Sequence, residues 1–139
     1  MGVNDALNPN DEFVEITVDP RFASAPVALG GSDETKKKYL GMLAEQPALA
    51  SFCLTEPDAG SDVAGMKTRA VKQGDKYVIN GSKCFITNGT YADYFTVYAK
   101  TDPDAGHRGI SAFVVDADLP GVTVDKKEDK MGQRASNTA

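Results

Sequence analysis

Cysteine is scarce in this chain, histidine nearly absent, and basic residues are outnumbered by acidic ones. Each shortage excludes something. The two cysteines, Cys53 and Cys84, stand 31 positions apart with no second cysteine or histidine beside either, so the spacing of a zinc site is missing. Both lie in apolar-rich runs, and free buried thiols are expected rather than a disulfide. The one histidine, His107, sits in Asp102-Pro103-Asp104-Ala105-Gly106-His107-Arg108, a loop composition without a Ser or Cys partner, and reads as a solvated residue. With 15 Lys plus Arg against 20 Asp plus Glu, the formal net charge is −5, which excludes nucleic-acid binding by general basicity. No apolar run approaches the roughly 18 residues of a membrane span, and no basic segment precedes an apolar core as in a signal peptide. The expectation is a soluble chain located in the cytoplasm. Through Thr35 there are seven acids and one basic residue, Arg21, the opposite of a mitochondrial presequence, so a matrix location would require sequence ahead of this one.

Common enzyme signatures are missing too: there is no dinucleotide fingerprint, P-loop, HExxH or nucleophile elbow. What is present is 139 residues, 41% hydrophobic and 25% charged, the length and composition of one globular domain with one core. Residues 1–30 read as irregular, punctuated by Pro9, Pro20 and Pro26, with strand character only in Phe13 to Val18. Ser32 then offers a helix cap, Asp33 and Glu34 suit a helix's positive end, and Tyr39, Leu40 and Leu43 recur at helical spacing before Pro47. A short helix over Asp33 to Ala44 is predicted. Beyond it the runs Ser51–Glu56, Met66–Gln73, Lys76–Asn80, Lys83–Thr87, Tyr94–Thr101, Gly109–Asp116 and Val122–Lys126 are rich in Val, Ile, Thr, Tyr and Phe. Gly74-Asp75, Gly81-Ser82, Asn88-Gly89, the Pro103 loop and Pro120-Gly121 separate them with turn residues. The pattern predicts a mainly β fold, an antiparallel barrel or sandwich of about seven strands preceded by a short helix.

The segment Phe52-Cys53-Leu54-Thr55-Glu56-Pro57-Asp58-Ala59-Gly60-Ser61-Asp62 ends a strand in a small-residue turn flanked by hydroxyls. Such a turn gathers main-chain N–H groups and the Thr55 and Ser61 hydroxyls into one small space, as an electron-rich ring edge or a phosphate requires. A strand-ending turn in which Ser and Asp satisfy local backbone groups accounts for the same residues.

Further on stand Val78-Ile79-Asn80-Gly81-Ser82-Lys83-Cys84-Phe85-Ile86-Thr87-Asn88-Gly89 and then Met131-Gly132-Gln133-Arg134-Ala135-Ser136. The three segments, in this order, resemble the acyl-CoA dehydrogenase family, whose pattern reads x-V-T-E-P-x-A-G-S-D, then I-N-G-x-K-x-[W or F]-I-T-N-G, then M-G-x-R-x-S. The resemblance runs from about Gly31 to Ala139. It implies that residues 31–50 end an N-terminal helical domain and that residues 51–139 form the family's middle, FAD-contacting β-domain. It further implies a flavoprotein that binds FAD and dehydrogenates acyl-CoA thioesters between the α and β carbons, passing electrons to an electron-transferring flavoprotein, with homo-oligomers formed by the full-length protein. Carried over by position, Phe52, Leu54, Thr55, Gly60 and Ser61 become one part of the flavin wall, and Phe85, Ile86 and Thr87 the second. Ser61 would reach acyl-CoA as well. Oxidised flavin carries acceptors at N1, N5 and both carbonyls, so hydroxyl and amide donors favour its electron-richer reduced form.

Phe52 stands where the family often has tyrosine, Phe85 where it has tryptophan, and Asp58 where it has glycine. No residue takes the role of the family's catalytic base. Glu56 and Asp62 are the nearest carboxylates, and a turn carboxylate that accepts backbone hydrogen bonds is too acidic to abstract an α-proton. The expectation is therefore a chain without the family's C-terminal helical domain and inactive alone; a non-catalytic flavin- or CoA-binding or interaction module is the alternative. The lysine run Lys36-Lys37-Lys38 reads as a solvated helix face.

Overall fold

The computed structural model of the chain describes residues 2–3 and 24–139. The strand character of Phe13 to Val18 falls outside the described residues. A short helix, α1 (Ala25–Gly30), lies within the stretch expected to be irregular. Helical backbone then runs through α2 (Asp33–Thr35), a π-helical turn (Lys36–Leu40) and α3 (Gly41–Glu45) without a break, since Thr35, Leu40 and Gly41 all keep right-handed helical φ and ψ. Its start is the expected one: the Ser32 hydroxyl accepts from the Thr35 N–H at 3.2 Å, satisfying a donor that has no partner inside the helix. The π turn carries Tyr39 inward onto Tyr94, ring centroids 4.9 Å apart.

The strands are β1 (Gly2–Val3), β2 (Ala50–Cys53), β3 (Arg69–Gln73), β4 (Lys76–Ser82), β5 (Tyr94–Lys100), β6 (Ile110–Asp116) and β7 (Val122–Thr123). They form one mixed sheet, not an antiparallel barrel. β6 pairs antiparallel with the whole of β5, from Tyr94↔Asp116 to Lys100↔Ile110. β2 and β3 therefore share the other edge of β5, both parallel to it: β2 from Ala50↔Tyr94 to Cys53↔Val97, β3 at Arg69↔Lys100. β3 and β4 form an antiparallel hairpin, and β1 joins β4 to β7. The expected antiparallel arrangement fails because a two-residue period fixes which face a side chain takes, not the direction of the neighbouring strand.

Lys83 to Thr87, anticipated as a strand, is not one. Phe85 and Asn88 take positive φ (58° and 61°), which breaks an extended backbone, and only an isolated bridge from Thr87 to Thr138 remains. The other six runs each contain a strand.

β5 is buried on both faces along nearly its whole length. Phe95, Val97 and Ala99 meet Phe113 and Val115 of β6, with Ile79, Ala70 and Ile86, on one face. On the other, Tyr94 and Val114 lie under the helix with Val27 and Tyr39, while Tyr98 and Ala112 lie under the 59–66 loop with Ala59 and Met66. Removing a side chain such as Phe113 from water stabilises the fold by roughly 1.5–3 kcal/mol, so the doubly covered β5 is the centre of the core. At its shared edge, where β2 stops and β3 has not begun, residues 54–68 leave the sheet.

Candidate functional site

β2 sets the first half of the site by burying alternate residues. Ser51 and Cys53 turn into the fold, and Phe52 and Leu54, half-buried, pack in the cluster of Tyr98, Phe52 having its ring 5.1 Å from that of Tyr98. Beyond Thr55 the chain makes a tight turn. Glu56 N–H donates to the Ala59 carbonyl at 3.0 Å and Ala59 N–H to that of Glu56 at 3.2 Å, with Pro57 and Asp58 at the corner. Gly60 and Ser61 follow, exposed. The extra negative charge of Asp58 is taken up locally, since its carboxylate meets Lys67 Nζ at 2.6 Å in an exposed ion pair.

The second half runs beside the first. Cys84 N–H donates to the Thr55 carbonyl at 2.9 Å, and Ser51 Oγ donates to the Thr87 carbonyl at 2.7 Å, so residues 84–87 lie alongside 51–55 in the opposite direction. The chain's last residues hold the other side. Ile86 N–H donates to the Ala139 carbonyl at 2.7 Å, Ala139 N–H returns to Ile86 at 3.0 Å, and Asn88 N–H donates to Asn137 at 3.0 Å. Between these ties the left-handed backbone at Phe85 turns its ring outward, 67% exposed, with Thr87 exposed next to it.

The two segments anticipated from sequence are thus brought together through residues 51–55 and 84–87. Ile86 departs from the expectation in one respect: its side chain is buried in the main core and its N–H and carbonyl are both engaged by Ala139, leaving it a supporting part.

Beneath the wall lies an ion pair that sequence reasoning missed. Lys83 Nζ stands 2.7 Å from Glu56 Oε1, with side-chain exposures of 0% and 4%, and also donates to the Leu54 carbonyl at 3.0 Å. The Glu56 carboxylate accepts from the N–H groups of Lys67 and Thr68 as well, at 2.5 and 3.1 Å. One buried pair thereby joins the end of β2, the approach to β3 and the segment leaving β4. Burial raises the Glu56 pKa, but the hydrogen bonds from Lys83, Thr68 and Lys67 outweigh it and hold the carboxyl below its ordinary value. Burial lowers the Lys83 pKa, with Glu56 opposing it. The signal available in the sequence was a lysine flanked by Ser82 and the apolar run Cys84-Phe85-Ile86. Such a cation has to find a counter-charge if it is buried.

Neither cysteine is in a disulfide; Cys53 is buried as expected, Cys84 only partly, and burial pushes the Cys53 thiol up to about 12. Among the described residues no group of His, Cys, Asp and Glu could hold a metal ion, and no helix is long and apolar enough to cross a membrane.

A family model described as acyl-CoA dehydrogenase, middle domain, matches residues 51–139. The chain belongs to the acyl-CoA dehydrogenase family. It is 57% identical over 112 residues to a cyclohex-1-ene-1-carbonyl-CoA dehydrogenase of Geobacter metallireducens, covering 80% of this chain and 30% of that protein. It is 53% identical over 123 residues to a probable medium-chain specific acyl-CoA dehydrogenase of Caenorhabditis briggsae, described as mitochondrial, covering 86% and 30%. Among solved structures, an acyl-CoA dehydrogenase from Bacillus anthracis complexed with FAD superposes with a TM-score of 0.74 at 47% identity, covering 84% of this chain and 20% of that one. The chain spans about a third of the length of the curated relatives it matches. The family middle domain begins within β2, immediately before the wall.

Proposed function

We propose that residues 52–61 and 85–87 form the face on which an acyl-CoA dehydrogenase holds its FAD, within a protein that oxidises acyl-CoA thioesters between the α and β carbons. The observation that carries this reading is Phe85: an aromatic ring two-thirds exposed on a left-handed backbone, beside two threonines, Thr55 and Thr87. A bulky residue in that conformation is uncommon, and such backbone cost recurs at ligand-clamping positions. A flat tricyclic ring fits the donor set, with Phe85 offering an apolar face and Thr55 and Thr87 offering hydroxyls. When bound, FAD supplies the hydride acceptor of the dehydrogenation.

This chain's residues would bind and orient. Phe85 shields the ring from water, and the Thr55 hydroxyl and the backbone near Leu54 donate to the pyrimidine edge. Thr87 donates near N5 and the ribityl chain, and Gly60 leaves room for Ser61 to reach cofactor and acyl-CoA. Glu56 does not serve as the base, since it is buried and occupied by Lys83, Lys67 and Thr68. The proton acceptor is assigned to a carboxylate outside residues 51–139, and an electron-transferring flavoprotein is the expected electron acceptor. The two relatives named above act on different acyl groups, so acyl preference is not assigned to the middle domain.

Flavin-fluorescence titration of the full chain tests the reading. Weak but saturable binding of FAD is expected. Thr55→Val and Thr87→Val should each weaken it by roughly fivefold or more while circular dichroism stays unchanged, the loss of one neutral hydrogen bond being worth about 1 kcal/mol. Affinity indifferent to both substitutions and to Phe85→Gly would remove the flavin from this face.

A further inference from the structure

The buried pair does more than join three segments. Lys83 Nζ donates to the carbonyl of Leu54, and that carbonyl belongs to the same peptide unit as the N–H of Thr55. Among the described residues the Thr55 N–H has no hydrogen-bond partner. In a trans peptide the N–H points opposite to the carbonyl. The free donor is therefore turned away from Lys83, on the part of the wall assigned above to the flavin's pyrimidine edge. A charged donor on a carbonyl draws electron density through the amide and makes the N–H at the other end a stronger donor, an effect largest where water is excluded. Lys83 meets that condition, being fully buried.

We propose that Lys83 is a positioning residue that biases this wall toward reduced over oxidised flavin, acting through the Leu54–Thr55 peptide. The inference rests on the flavin reading above. Lys83 holds the peptide in place and polarises it, so that the Thr55 N–H meets a more receptive acceptor once the ring carries two more electrons. Glu56 opposes the effect as the counter-charge and keeps the ammonium in the fold. A purely structural lysine would weaken the binding of both flavin forms in equal proportion; a polarising one changes their ratio.

The test measures dissociation constants for oxidised FAD and, under anaerobic conditions, for dithionite-reduced FAD, using the full chain. The double variant Glu56→Gln/Lys83→Met removes both charges together and should lower the preference for reduced FAD by about three- to tenfold. Lys83→Arg keeps the cation and should retain the wild-type ratio. Glu56→Gln alone leaves the cation without its counter-charge and should move the ratio about threefold the other way; the double variant, which strands no charge, is the milder change and is the arm that decides if this single variant fails to fold. Equal changes in both constants across the variants would overturn the proposal while leaving the flavin site intact. Failure of the wild-type chain to bind either form would overturn the flavin reading and this inference with it.

Discussion

Two parts of the molecule are held in opposite ways. The β5–β6 ladder is fixed by burial: seven consecutive residue pairs, apolar on both faces, need nothing more than a continuous hydrophobic run to find their place. The wall at residues 54–56, 67–68 and 83–88 has few apolar residues to bury and no regular ladder. It is fixed by a buried ion pair, by backbone groups bonded singly to distant carbonyls, and by positive-φ residues. Hydrophobic packing sets a layer and leaves the final geometry loose, whereas charge-assisted hydrogen bonds specify atoms. A surface that must present particular donors to a ligand is better served by the second kind.

The comparison can be broken most directly at Lys83. Lys83→Met alone strands the Glu56 carboxylate in the interior and should destabilise the chain by about 3–5 kcal/mol in urea denaturation, as much as a large core deletion. Adding Glu56→Gln should return much of that loss, because two uncharged side chains no longer require each other. A double variant as unstable as the single one would mean that the pair acts through shape alone.

Gly81 comes next. It has φ +154°, and a Cβ there would collide with Thr68 Oγ1 and meet Thr68 Cα at 2.7 Å. Gly81→Ala is expected to cost about 2–3 kcal/mol, combining overpacking with backbone strain. Gly74→Ala, also at positive φ but with open space around it, should cost less. Thermal midpoints of the two variants rank them.

Acid distinguishes the regions more gently. The Glu56 pKa is depressed in the fold, so its contribution is complete above the ordinary carboxylate range and disappears as pH falls through the depressed value. The stability of the wild-type chain should therefore decline on acidification below about pH 4. The decline should be shallower in Glu56→Gln/Lys83→Met, and a chemical-denaturation series over that range reads the difference. The smallest effect lies in the ladder: the Tyr94 hydroxyl is buried without a hydrogen-bond partner among the described residues, and Tyr94→Phe should be neutral or stabilising by up to about 1 kcal/mol in the same assay.

The same contrast decides what could be read from the residues. The capped helix and the strands around β5 were legible because local propensity and apolar patterning act within a few residues. Strand direction was not, although the nearly unbroken apolar run of β5 carries the mark of a strand covered on both faces and paired in parallel. Lys83 to Thr87 misled because its β-branched and aromatic residues suit a strand, while its conformation answers to Thr55, Ser51 and the 137–139 segment, all distant in sequence. Family resemblance singled out residues 52–61 and 85–87, and the structure brings those two segments side by side. The ion pair beneath them was not, since nothing in the spacing of Glu56 and Lys83 announces that a turn and a strand end will meet.

The edge of β5 shared by β2 and β3 also has a consequence in time. β5 and β6 are close in sequence, as are β3 and β4, so each pair closes a short loop; Ala50 must find Tyr94 across more than forty residues before Leu54 and Glu56 come within reach of Lys83. Loop closure of that kind belongs late in folding, after the local hairpins exist. Long-range closure of this kind is the slow part of forming the wall, whereas the hairpins around it close over short loops. Opening that releases residues 50–56 from β5 would separate Leu54 and Glu56 from Lys83 while the β5–β6 ladder stays paired.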